Sequence, residues 1–289
     1  MKILVTGANG QLGSDLLRLL SSKNIPNIGI DISDCDITDR AAVEKLFRRE
    51  NPTHVVHCAA FTAVDKAETE RELCEKINVC GTENIAEECR KTGAEIVYIS
   101  SDYVYSGNGE NPQDETAEIA PKNFYGRTKY DGEMAIMCKV ENYYIVRTSW
   151  VFGKSGGNFV KTMLRLAQTN PEISVVSDQI GSPTYTPDLS AAILELIKKG
   201  IFGVYNITNS GFCSWYEFAC EIFRQEKIPV KVHPILTKNY KTAAERPLNS
   251  KLSKEKYLKI GNCELPDWKN ALERFLGEIK LEQKNDCKS

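Results

Sequence analysis

Two stretches of the chain combine side chains that can move a proton with backbone that can hold a phosphate. In Asn123-Phe124-Tyr125-Gly126-Arg127-Thr128-Lys129, Tyr125 and Lys129 stand four residues apart. On a helix they share one face and can reach one reacting centre. A neighbouring ammonium favours the phenolate, so Lys129 is expected to draw the Tyr125 pKa down from about 10 and make the phenol a usable acid. Taken alone, the pair also suits the edge of any amphipathic helix. The second stretch is the N-terminus, where the mostly apolar run Lys2 to Thr6 enters Gly7, Gly10 and Gly13, with Leu12, Leu16, Leu19 and Leu20 at helical spacing. This reads as strand, glycine turn and helix start. Glycine lets the backbone approach a pyrophosphate, whose charge meets the unpaired N–H groups of the helix N-terminus. The spacing is Gly-x-x-Gly-x-x-Gly, and a helix-packing turn with no ligand is the alternative reading.

The elements that must position these groups follow in order. A strand over Asn27 to Ile30 ends at Asp31, and a helix over Asp39 to Glu50 carries Ala42, Val43, Leu46 and Phe47 on one side, completing a βαβ crossover. At that strand end a carboxylate can accept hydrogen bonds from an adenosine ribose. The same charge would repel a ribose 2′-phosphate, and Ile32 to Ile37 contains no arginine to receive one, which favours NADH on charge grounds, although Lys or Ser side chains could serve; a solvated turn aspartate is the alternative. A third strand, His54 to Cys58, ends in Ala59-Ala60-Phe61-Thr62, where small residues again admit close approach. His54 and His57 read as strand residues, because no acidic or cysteine partner sits at metal spacing. A helical segment over Glu68 to Thr92 leads to a fourth strand, Glu95 to Ser100. The chemistry is expected just beyond it, at Ser101-Asp102-Tyr103, since open parallel sheets bind ligands outside their carboxyl ends.

Composition bounds the remaining possibilities. With 289 residues and 42% hydrophobic content the chain suggests roughly two domains and a sizeable core. Thirty-seven basic against 39 acidic residues leave a net charge of −2, so no basic field points to nucleic acid or a membrane surface. The ten cysteines form no Cys-x-x-Cys pair and read as reduced packing residues. With no signal-peptide pattern and no apolar run long enough for a span, a cytoplasmic protein is expected. After Trp150 the pattern is that of a smaller α+β region, helical near Phe159 to Gln168, Pro187 to Lys199 and Ser214 to Gln225, with strand-like runs at Ile173 to Val176 and Val204 to Ile207. The polar tail from Lys280 to Ser289 is expected to fray. The fold class is therefore α/β, a Rossmann-type doubly wound parallel sheet with a smaller α+β substrate-binding lobe. Residues 1–150 form the dinucleotide-binding domain and 151–289 mainly the substrate lobe, with the chain passing between the two.

The glycine turn, a serine after the fourth strand and the Tyr125/Lys129 pair, in this order, resemble the extended branch of the short-chain dehydrogenase/reductase superfamily. The stretches Ala59 to Glu68, Arg147 to Gly153, Gly157 to Phe159, Asp178 to Thr184, Thr208 to Glu217 and Arg246 to Ser250 narrow the resemblance to the dTDP-4-dehydrorhamnose reductase family over nearly the whole chain. The resemblance implies hydride transfer from NADPH or NADH to the C4 ketone of dTDP-4-dehydro-L-rhamnose, giving dTDP-L-rhamnose for cell-surface polymers. It makes Tyr125 the proton donor, Lys129 the group that holds the nicotinamide ribose and tunes Tyr125, and Ser101 the donor to the ketone oxygen. It assigns Gly10, Gln11 and Leu12 to the pyrophosphate, Asp31 to the ribose, Asp36 and Ile37 to the adenine, and Ala60, Phe61 and Thr62 to the inner half of the cofactor. Ser101, Asp102 and Trp150 fall to the sugar, with Asn158 and Arg246 as candidates for the dTDP diphosphate; Trp150 also suits a core position. Many members have threonine at the position of Ser101, and several place an arginine shortly after the acidic residue, where Ile32 and Ser33 stand here. Some members use magnesium between subunits; no motif here demonstrates a metal site, and none is assigned. The resemblance also allows a homodimer. Rivals are a nucleotide-sugar epimerase or 4,6-dehydratase, whose elimination base would be a glutamate where Tyr103 stands, and a nonenzymatic NADP-binding regulatory subunit like that of methionine adenosyltransferase.

Overall fold

Strands buried on both faces read as continuous apolar runs, and all four residues of Ile3–Thr6 (β1) are buried. In the computed structural model, which describes residues 1–286 and their side chains through residue 281, β1 lies inside a six-stranded parallel sheet. Its companions are Asn27–Ile30 (β2), His54–His57 (β3), Glu95–Ser101 (β4), Tyr143–Thr148 (β5) and Gly203–Asn206. The spatial order runs Gly203–Asn206, β5, β4, β3, β1, β2. From β1 the chain moves outward to β2 and then returns to place β3 on the other side of β1. This reversal is the topological switch point at which such sheets bind ligands.

Helices cover both faces. The helix Gln11–Ser22 (α1) buries Leu12, Leu16 and Leu20 beside Leu189, Ile193 and Leu196 of the helix Thr186–Lys199. Across the sheet, Arg40–Glu50 (α2) buries Val43, Leu46 and Phe47 with Ile85, Cys89 and Ile136. The helix expected over Glu68 to Thr92 is segmented: Val64–Ala67 precedes Arg71–Glu75, a π-helical turn spans Lys76–Gly81, and Thr82–Thr92 follows. The wider turn carries Asn78 inward, where its side chain accepts from the Phe61 N–H at 2.7 Å and donates to the Phe61 carbonyl at 3.2 Å. A π turn of this kind commonly marks a functional region.

A separate core beyond Trp150 collects Phe152, Val160, Phe218, Ile222, Leu272 and Phe275. Glu172–Val176 pairs in parallel with Lys231–Ile235 there. The intervening segment Thr186 to Asn206 returns to the large sheet, as the helix on α1 and the strand beside β5. The final helix, Trp268–Asp286, continues past the point at which fraying was expected. Ala271, Leu272, Phe275 and Leu276 bury one face of it, and Lys280 pairs with Glu226 at 2.7 Å; residues 287–289 lie outside the described residues. No helix among the described residues is long and apolar enough to cross a membrane.

Helix Phe124–Lys139 is held to the sheet by a buried ion pair. Arg147 on β5 meets Glu133 through Nε at 2.9 Å and Nη2 at 2.6 Å, and the two side chains are 3% and 0% exposed. Ser100 Oγ donates to Glu133 at 2.5 Å, while Arg147 Nη1 donates to Tyr105 Oη at 2.8 Å and Tyr105 donates to Asn206 at 3.1 Å. Removing one member strands the other charge away from water, which costs about 3–5 kcal/mol. Arg147→Met should therefore lower the urea midpoint by that equivalent, and Glu133→Met/Arg147→Met together should recover part of the loss.

Candidate active site

One cleft of about 850 Å³ runs along the carboxyl ends of the strands from the glycine turn to the start of helix Phe124–Lys139. At its near end Gly7 turns with φ +66°, and a Cβ there would lie 2.8 Å from Ala59 N; a Cβ on Gly13 would lie 2.2 Å from the Gly7 carbonyl oxygen. Only glycine fits either position, and a side chain would fill the cradle. Gly10 caps α1 without a side-chain hydrogen bond, leaving the first N–H groups of a twelve-residue helix to a ligand. These residues fit a dinucleotide pyrophosphate. Asp31, at the end of β2, accepts from Asn9 N at 3.0 Å and from its own neighbour Ile32 N at 2.8 Å, so it also braces the turn.

The expected residues Gly7, Gly10, Gln11, Leu12, Gly13, Asp31, Asp36, Ile37, Ala60 and Thr62 line this cleft with Ser101, Asp102, Tyr125, Lys129 and Trp150. Phe61 is not among the lining residues, and its backbone is held by Asn78. Asn158 caps helix Phe159–Ala167 by accepting from Lys161 N. Its amide donates to Gln11 Oε1 at 3.1 Å and to the Gly153 carbonyl at 2.8 Å, tying the second lobe to the glycine turn. Arg246 forks onto Asp65, Nη1 to Oδ1 at 3.0 Å and Nη2 to Oδ2 at 2.6 Å, outside the cleft lining. Both diphosphate candidates thus hold protein partners, Asn158 through its amide and Arg246 through its two Nη groups.

At the far end, Asn123 caps helix Phe124–Lys139 by accepting from Gly126 N. Tyr125, Lys129 and Glu133 then recur at four-residue intervals, and Lys129 places its ammonium 4.2 Å from the centre of the Tyr98 ring. The electrostatics differ from the expectation of a lowered tyrosine pKa. Burial, and after it the Asp102 carboxylate, push the Tyr125 phenol up, with the Ser101 hydroxyl acting in the opposite sense. Burial also lowers Lys129 to about 7 from an ordinary 10.5, against the pull of Glu133. The lysine thus loses part of its own charge near neutrality, so burial of the phenol prevails. A phenol that keeps its proton is still the right form for a proton donor. Asp102 is raised to about 6 by burial. Ser101 Oγ donates to Asp102 Oδ1 at 2.9 Å and accepts from Tyr103 N at 3.2 Å, and the Ser250 hydroxyl also bears on the Asp102 carboxylate.

Trp150 adopts φ +49°, a strained conformation for a bulky residue and one that tends to occur at functional sites. Its ring packs over Gly181, where a Cβ would approach to 2.6 Å, and stacks on Trp215 with centroids 3.5 Å apart. Trp215 lines the cleft and was not singled out from sequence, because its partner is 65 residues away and no local spacing announces the contact. Ile32, Thr38 and Cys58 line the cleft too, brought there by the paths of their loops, as does Ser149 from within the Arg147 to Gly153 stretch.

The arrangement joins a glycine turn that can cradle a phosphate to a buried phenol that can donate a proton, as nicotinamide chemistry on a carbonyl or alcohol requires. Comparisons with known proteins agree. The RmlD substrate binding domain model matches residues 1–281. The spore coat polysaccharide biosynthesis protein SpsK of Bacillus subtilis strain 168 is 41% identical over 277 residues, covering 96% of this chain and 97% of that protein. The dTDP-4-dehydrorhamnose reductase of Escherichia coli K12 is 38% identical over 96% of this chain and 98% of its own length. A crystal structure of dTDP-4-dehydrorhamnose reductase from Bacillus anthracis strain Ames in complex with NADP superposes with a TM-score of 0.93 at 43% identity, covering 96% of this chain and 100% of that one. The chain therefore belongs to the dTDP-4-dehydrorhamnose reductase family and is an NAD(P)H-dependent oxidoreductase built on a Rossmann-type fold.

Proposed function

We propose that this reductase acts on dTDP-4-dehydro-L-rhamnose, converting the C4 ketone to the hydroxyl of dTDP-L-rhamnose. The observation that carries the reading is the convergence of Ser101, Tyr125 and Lys129 at one end of a cleft whose other end is the Gly7–Gly13 cradle. The activity named for the relatives supports the choice of substrate. The nicotinamide cofactor, when bound, supplies the hydride. Gly10, Gln11 and Leu12 hold its pyrophosphate, Asp31 its adenosine ribose, and Asp36 and Ile37 border its adenine. Ala60, Phe61 and Thr62 wall the inner half. We assign residues 1–150 mainly to cofactor binding and 151–289 mainly to the substrate, with the segment around 186–206 returning to the cofactor side. Nine cysteines among the described residues are unpaired, which supports a reducing compartment such as the cytoplasm.

Tyr125 gives its phenolic proton to the oxygen that becomes the C4 hydroxyl. Its raised pKa keeps that proton in place until negative charge develops on the substrate oxygen. Ser101 donates to the same oxygen, for which its hydroxyl must turn from Asp102 Oδ1. Asp102 and Trp150 orient the sugar. The stacked Trp150 and Trp215 rings of the second lobe form an apolar wall of the same cleft. Lys129 lies one turn from Tyr125 on the same helix face, placed to hold the nicotinamide ribose.

General acid catalysis contributes about 10²–10⁴ in rate. Tyr125→Phe should lower kcat by that order with little change in KM, followed as the loss of NADPH or NADH absorbance with enzymatically generated dTDP-4-dehydrorhamnose. Cofactor binding without turnover in the wild type would reject the proposed substrate. A second expectation concerns Lys129. Its folded pKa of about 7 lies below its unfolded value of 10.5, so between these values the unfolded chain binds more protons and stability rises with pH. Lys129→Met should be the more stable protein below about pH 7. Its advantage should shrink through pH 7 to 10.5, as measured by thermal denaturation across that range.

A further inference from the structure

The segment after β2 reads Asp31-Ile32-Ser33-Asp34-Cys35-Asp36-Ile37-Thr38-Asp39, four carboxylates and no lysine or arginine in nine residues. Asp31, Ile32, Cys35, Asp36, Ile37 and Thr38 line the end of the cleft beside the glycine turn. The carboxylates do not point idly into solvent. Asp31 accepts from Asn9 N and Ile32 N at 3.0 and 2.8 Å, Asp34 accepts from Asp31 N at 2.9 Å, and Asp36 accepts from Thr38 N at 2.9 Å. Asp39 accepts from Ala41 N and Ala42 N, closing the α2 N-terminus. The Asp34 and Cys35 amides are bonded to the Asp31 carbonyl at 2.9 and 3.0 Å.

A ribose 2′-phosphate needs a guanidinium, an ammonium or a set of free amides to receive it. At this rim the loop's own carboxylates and the Asp31 carbonyl hold the Asp31, Ile32, Asp34, Cys35 and Thr38 amides, and the charges beside the remaining Ser33, Asp36 and Ile37 amides have the wrong sign for a phosphate. The nearby cations offer little relief. Arg49 is paired with Glu50 at 2.6 Å, and neither Lys76, which bears on Asp36, nor Arg40 lines the cleft. The Asp31 carboxylate keeps lone pairs that can accept from free ribose hydroxyls, and esterification of the 2′-hydroxyl would remove one such donor and set a dianion beside it.

We propose that the Asp31–Asp39 loop makes this reductase selective for NADH over NADPH, through repulsion of the 2′-phosphate by its four carboxylates with no cation of the loop to offset them. The inference rests on the orientation of the cofactor given above, with its pyrophosphate on the glycine turn. Binding should show it without turnover. NADH and NADPH dissociation constants for the full chain can be measured by calorimetry at low salt, with ADP-ribose and 2′-phospho-ADP-ribose as probes of the adenosine end alone. NADH and ADP-ribose should each bind about tenfold or more tighter than the phosphorylated partner. The ratio should narrow at about 1 M salt, where screening acts within about 3 Å.

Two variants test this cause. Asp31→Asn keeps an acceptor for Asn9 N while removing the charge, and Ile32→Arg places a guanidinium on a side chain that is 74% exposed. Each should shift the ratio toward the phosphorylated ligands, Ile32→Arg by the greater amount. Equal or tighter binding of NADPH by the wild type, or a ratio unmoved by Ile32→Arg, would overturn the selectivity while leaving the cleft as a cofactor site. Failure of all four ligands to bind would overturn the cofactor orientation and the selectivity with it.

Discussion

The buried pairing of Glu133 with Arg147 fixes where the chemistry can occur. Two charges withdrawn from water are tolerated only when their hydrogen-bonding groups are met, and here Ser100, Tyr105 and Asn206 complete the network. Through it β4, β5, the strand Gly203–Asn206, the loop after Ser101 and helix Phe124–Lys139 share one geometry. Glu133 lies one turn beyond Lys129 and two beyond Tyr125 on that helix. Locking Glu133 to the sheet sets the rotation of the helix and aims the tyrosine and lysine into the cleft. Rigid elements hold such groups more accurately than loops do.

A close-packing constraint acts at the other end of the cleft. Gly7 lies against the end of β3 and Gly13 against Gly7, so the phosphate cradle exists only while three backbone segments touch. The second lobe is keyed to the same turn through Asn158 to Gln11, Ser14 to Ser155 at 2.8 Å, and the buried contact of Thr186 with Asp15. A shift of that lobe must disturb the turn. Trp150 adds strain of its own, and the Trp215 ring stacked upon it shows what holds the strained backbone in place.

Burial of the reacting groups has opposite effects on acids and bases. It raises Tyr125 and Asp102 and lowers Lys129, and in each case favours the neutral form. A site of this kind keeps its proton on the phenol and presents little fixed charge to the cleft. Beside the glycine turn the carboxylates of the Asp31–Asp39 loop stand toward the protein surface, with no lysine or arginine in the loop. One cleft therefore carries two electrostatic regimes, separated by the length of a dinucleotide.

Much of this was legible in the chain itself. The apolar run into Gly7, the second strand ending at Asp31 and the Tyr125/Lys129 spacing are local patterns, and local sterics and periodicity determine a βαβ start and a helix face without help from distant residues. The same holds for the acidic loop, whose charge is a matter of composition. What the sequence could not decide arises from contacts between distant segments. The pKa of Tyr125 depends on how deeply other elements bury it, so a spacing argument from Lys129 alone gave the wrong direction. The pairing of Arg246 with Asp65 joins segments far apart in the chain, and the helix through Glu68 to Thr92 reads as continuous until Asn78 must reach Phe61. Trp215 acquires its place only by stacking on Trp150. Desolvation and partner choice are properties of the packed molecule, because each is set by which surfaces exclude water together.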